Sequence, residues 1–115
     1  MSKLFAIAIP ITAGKEGEWK KWHDELKGAR YNDFVSSRAK MNVRERTFLQ
    51  HTPMGDMVIV TLEGDNPAGA FAQFAAADDD FTKWFLEGVK KAHGIDMKQP
   101  PGGPLPELII DSKPG

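Results

Sequence analysis

Apolar positions recur along this chain with two different periods, and the switches between them predict its elements. Lys3 to Ile11 (KLFAIAIPI) is apolar and rich in strand formers, and Thr12-Ala13-Gly14 stops it, which predicts a first strand. Lys15 to about Ala29 predicts a helix, with Trp19, Trp22, Leu26 and Ala29 on one face. Gly28 weakens its end, and Tyr31, Phe34, Val35 and Arg38 form a second helical stripe, read as a continuation after a kink. Arg44–Thr52 and Met57–Glu63 predict two strands joined by Thr52-Pro53-Met54-Gly55-Asp56, a link whose Pro and Gly signal a hairpin. Asn66-Pro67 then offers an N-cap and a first helical residue, ahead of a helix with Phe71, Phe74 and Ala75 inward. Asp78-Asp79-Asp80 interrupts it. Asp80 is read as the cap of a further helix carrying Phe81, Trp84, Phe85 and Val89, ending in Lys90, Lys91 and His93 before a Gly94 C-cap. Residues 99–106 (QPPGGPLP) predict a connecting arm, and Glu107–Asp111 (ELIID) a last strand.

Strand, helix, strand, strand, helix, strand is the order of an α+β, ferredoxin-like βαββαβ sandwich, with helices on one face of an antiparallel sheet. Such a sheet, wet on its other face, alternates apolar with polar residues. The third strand does not: Met57 and Ile59 point one way while Val58, Val60 and Leu62 point the other. The first strand likewise sets Phe5, Ile7 and Ile9 against Leu4, Ala6 and Ala8. One helical layer covers one face only. A homodimer packed sheet to sheet about a two-fold axis is the expected cover for the second.

The 115 residues predict a single domain, 1–115, with no composition break or internal repeat. Cysteine is absent, which excludes disulfides and thiolate chemistry. The N-terminal apolar run is too short to span a membrane and lacks a convincing signal-peptide layout, so a cytoplasmic location and no membrane partner are expected. Net charge is -1, yet residues 15–46 hold nine basic and six acidic side chains, whereas 47–82 hold six acidic and none basic. That asymmetry is capable of orienting an anion, although solvation is its commoner meaning. The chain is not basic, and DMVIVTLEG has no aromatic residue to stack a base, so no nucleic acid is expected. No P-loop, dinucleotide fingerprint or nucleophile elbow occurs, and no cofactor is expected.

Three segments, RERTFLQHTPMGDMVIVTLEGDNP, DDDFTKWFLEGVKKAHGID and PELIID behind its Pro-rich arm, give a texture that resembles the dimeric α/β-barrel superfamily of small ferredoxin-like proteins. Within it the chain looks most like a widespread bacterial family of uncharacterised members. The resemblance covers about half the chain. It implies a sheet-to-sheet dimer, and a superfamily that includes cofactor-independent quinone-forming monooxygenases, lactone isomerases, haem-degrading enzymes and members with no known chemistry. The Asn, Trp and His set of the haem-degrading members has no matched positions in this sequence.

Several side chains are candidates for chemistry. His23, at i+4 from Trp19 on the boundary of the inward helix face, is the candidate base, with a structural histidine as the alternative. Arg44, Arg46 and Gln50 share one strand face with Phe48 and could clamp a carboxylate or enolate, or else pair with acids on a neighbouring chain. His51 beside the turn is an acid–base candidate or a solvated residue. Arg38 lies on the inner stripe of the second helical stretch, as an anion anchor or an interface or cap residue. Trp22 and Trp84 are core residues or the walls of an apolar cleft. Asp78-Asp79-Asp80 lacks spaced partners, so no metal is expected. Two functions stand side by side: a cofactor-independent monooxygenase or isomerase acting on a small conjugated organic substrate, and a non-catalytic dimer binding a small molecule or a protein partner.

Overall fold

The hydrophobic runs fold into seven elements of an α+β protein, seen in a computed structural model that describes residues 3–97 and 106–113. Three strands, β1 (Lys3–Pro10), β2 (Val43–Thr52) and β3 (Gly55–Gly64), form an antiparallel sheet in the order β1-β3-β2. Four helices accompany it: α1 (Glu16–Lys27), α2 (Tyr31–Lys40), α3 (Pro67–Ala76) and α4 (Asp80–His93). The β2–β3 link is tighter than the sequence suggests. Thr52 already pairs with Gly55, which takes φ +121°, a value that glycine tolerates, so Pro53 and Met54 alone make the turn.

The helix ends follow local chemistry. Asn66 caps α3 by accepting the Gly69 amide at 3.1 Å, with Pro67 in the first turn. Gly94 ends α4 in the left-handed region, at φ 68°. Two expectations shift. Asp79, not Asp80, caps α4, accepting from the Thr82 amide at 3.0 Å and the Thr82 hydroxyl at 2.8 Å. Helix α2 is a separate helix and not a kinked continuation of α1, because the chain turns at Gly28, whose amide returns to the Glu25 carbonyl.

The largest correction concerns the last strand. Glu107–Asp111 forms no ladder with β1, β2 or β3, and Leu108, Ile109 and Ile110 are 65%, 82% and 84% exposed. Its residues favour a strand, but a strand also needs a neighbouring backbone, and no described strand pairs with it. The expected arm, 99–106, lies outside the described residues except for Pro106.

All four helices pack on one sheet face. The larger core gathers Trp19, Trp22 and Leu26 of α1 with Phe81, Phe85, Val89 and Ala92 of α4 around Val58. A smaller core joins Val43 and Leu62 to Ala70 of α3, with Phe5 and Phe71 in edge-on ring contact. Gly88 lets α4 approach α1 closely, since a Cβ there would overlap the Trp22 indole. Among the described residues no helix is long and apolar enough to cross a membrane.

Candidate functional site

Strand register distributes the candidate residues over two opposite surfaces. Glu45 pairs with Leu62, Thr47 with Val60, Leu49 with Val58 and His51 with Asp56, so these β2 residues look toward the helices. Arg44, Arg46, Phe48 and Gln50 look the other way, beside Glu63, Thr61, Ile59 and Met57 of β3. Continuing across β3, those rows reach Leu4, Ala6, Ala8 and Pro10 of β1. The outer face is therefore an apolar field of Leu4, Ala6, Ala8, Phe48, Met57 and Ile59 with arginines at one end. Phe48 and Leu4 are 53% and 55% exposed, and no residue of this face belongs to either core. Arg46 meets Glu63 at 3.6 Å with both side chains well exposed, which makes it a weak surface pair.

The helix side holds Arg38. Its Nε donates to the Glu45 carboxylate at 2.8 Å and its Nη1 donates to the Ser37 hydroxyl at 3.0 Å. The guanidinium lies 4.2 to 4.6 Å from the ring centres of Phe34, Phe74 and Phe85. Burial lowers the Arg38 pKa from its usual value, and the Glu45 carboxylate opposes that shift. Its Nη2 is buried with no hydrogen-bond partner. Both acceptors that it meets, the Glu45 carboxylate and the Ser37 hydroxyl, belong to the protein itself, so Arg38 serves an internal ion pair. Sequence reasoning missed Glu45. The available signal was an acid that alternates onto the same strand face as Thr47 and Leu49, where burial requires a partner.

His23 occupies a second aromatic pocket, separate from Arg38. Its ring stacks on Trp19 at 3.9 Å and meets the Trp22 edge at 4.5 Å. Nδ1 donates to the Trp19 carbonyl at 3.1 Å. Desolvation lowers its pKa to about 4, with that hydrogen bond opposing the shift, so the ring is neutral at physiological pH. His93, unassigned to any site from the sequence, donates from Nδ1 to the Pro10 carbonyl at 2.9 Å, and desolvation lowers its pKa too. Both indole nitrogens, of Trp19 and Trp22, are buried without partners. The rings fill this space themselves.

The remaining candidates are apart from these. His51 donates from Nδ1 to the Asp56 carboxylate at 2.7 Å at the exposed hairpin end. Trp84 packs on Phe81 and under the Arg30 guanidinium at 4.8 Å, away from Trp22. A cleft of about 280 Å³ opens between α2 and the α3–α4 junction, lined by Ser37, Lys40, Gln73, Phe74, Asp79 and Thr82 among others. None of the eight candidate residues lines it. Among the described residues no group of three or more His, Cys, Asp or Glu side chains is placed to hold a metal ion. Comparisons with protein-family models, curated proteins and solved structures found no match.

Proposed function

We propose that this protein works as a non-catalytic homodimer of the dimeric α/β-barrel type, associating through the outer face of its sheet and acting as a binding or interaction module. The observation that carries this reading is the uncovered field of Leu4, Ala6, Ala8, Phe48, Met57 and Ile59, which leaves a continuous apolar surface in water. A second copy of the same face is self-complementary under a two-fold axis. Arg44 and Arg46 sit at the rim of that surface, where charge governs register and encounter more than affinity.

Two observations weigh against the enzymatic alternative, a monooxygenase or isomerase using His23 as base. A conjugate acid of pKa about 4 makes His23 a poor proton acceptor, and the indoles of Trp19 and Trp22 occupy the space a substrate would need. The arginine nearest in role, Arg38, is committed to Glu45.

Light scattering at micromolar concentration tests the reading. The expected mass is twice the 12.7 kDa of one chain. Ile59→Asp should place a carboxylate in the interface and raise the dissociation constant by at least ~100-fold, about 2.7 kcal/mol, with helix content unchanged. A parent chain that remains a clean monomer would remove the proposal.

A further inference from the structure

The half of β2 nearest the hairpin is open in a way the sheet-face dimer does not by itself explain. Strand β2 is an edge of the sheet, and no described strand pairs with its far side. Its first residues lie under α2, tied by Arg38 and Glu45. From Thr47 to His51, however, every residue is exposed. Phe48 and Leu49 are 53% and 41% exposed on opposite faces of that stretch, so apolar surface meets water both above and below an unpaired backbone edge. Packing sheet on sheet would bury Phe48. It would leave Leu49 and the edge amides and carbonyls open.

The same molecule carries the matching piece. Glu107–Asp111 has as many residues as the open stretch, and its exposed Leu108, Ile109 and Ile110 also present apolar groups on both sides of the backbone. The two pieces also match in charge. Arg46 has only the loose contact to Glu63, and the segment is bounded by two acids, Glu107 and Asp111. Set Ile109 opposite Phe48, and Leu108 and Ile110 fall beside Leu49 and Thr47 on the helix side, in whichever direction the strands run. One of the acids then lies opposite Arg46. Within one chain no ladder joins the segment to this edge among the described residues.

We propose that segment 107–111 of one copy adds as a fourth strand to the open β2 edge of a second copy. The inference rests on the homodimer reading and deepens it, by naming what pairs with the open β2 edge and what Arg46 recognises. The exchanged strand supplies the ladder partner that Leu108–Ile110 lack among the described residues and closes the exposed β2 edge of the recipient.

The absence of cysteine makes a direct test available. Phe48→Cys and isotopically labelled Ile109→Cys chains are mixed, equilibrated and exposed to a mild oxidant. Directly opposed residues on neighbouring strands lie within disulfide reach, so a disulfide-linked heterodimer of intermediate mass is expected. A control replaces Phe48→Cys with Met54→Cys, at the 98% exposed turn, and should link far less. Equal linking in the control, or no heterodisulfide from a parent that light scattering shows to be dimeric, overturns strand exchange and leaves the sheet-face dimer standing. A Phe48→Cys/Ile109→Cys double variant that links only within one chain overturns it too. A monomeric parent instead overturns the homodimer itself. As a second measurement, Ile109→Asp should raise the dissociation constant at least ~10-fold, and an unchanged constant counts against the exchange.

Discussion

The two faces of the sheet carry the same kind of ion pair, and they treat it in opposite ways. On the helix side Arg38 and Glu45 meet at 2.8 Å with side chains 5% and 7% exposed, ringed by three phenylalanines. On the outer side Arg46 and Glu63 meet at 3.6 Å with side chains 40% and 39% exposed. Solvent makes the difference. Removing two charges from water is costly, and only tight geometry with further contacts offsets it, whereas an exposed pair gains little and costs little. The inner pair is thus a committed part of the fold. The outer arginines remain available to something that approaches the sheet.

The sharpest way to break this contrast is to remove one member of the inner pair. Glu45→Ala strands a guanidinium among aromatic rings and should cost about 3–5 kcal/mol in urea unfolding. That is a large part of the stability of an ordinary domain. The double change Arg38→Met with Glu45→Leu should recover most of that loss, because it removes both charges and keeps the volume. A loss below about 1 kcal/mol for Glu45→Ala alone would show that water reaches the pair and that the faces are less different than the geometry indicates.

Acid probes the helix side next. His23 is neutral when folded, with its pKa lowered from 6.5 to about 4, so the unfolded chain binds a proton in that window and the folded chain does not. Its contribution is fully present above pH 6.5 and is lost as pH falls toward about 4. His93 acts in the same direction. The expected loss is on the order of 2 kcal/mol once partial exposure is allowed for, read as a falling unfolding midpoint. His23→Gln should flatten that pH slope, and an unchanged slope would show that other groups set it.

The smallest effect belongs to the outer pair. Glu63→Ala should change stability by about 0–1 kcal/mol, and salt should erase what there is. If it rivals Glu45→Ala, the outer face is not exposed in solution and a partner already desolvates it, a result that light scattering on the same samples would separate.

Much of this was legible along the chain. The spacing of Trp19, Trp22 and Leu26, the cap at Asn66-Pro67 and the stop at Gly94 depend on neighbours a few residues away, and each appears in the fold. The alternation in β3 separated Val58 and Leu62 from Met57 and Ile59, which register places on opposite faces. The candidate residues fared differently, because a site is a long-range meeting. Arg38 and His23 fall in separate pockets, Arg46 lies across the sheet from both, and Glu45 had no assigned role until α2 folded over the start of β2.

By itself the sequence determined where the three sheet strands and the helical stretches lie, and that β3 has two apolar faces, since backbone preference and residue period act locally. Only the tertiary structure decided that one of those faces is filled by helices while the other stays bare, that Arg38 spends its charge on Glu45, and that Leu108–Ile110, strand formers by composition, pair with no strand among the described residues. Hydrogen-bond ladders, ion pairs and burial are relations between distant segments, and no window of sequence contains both partners.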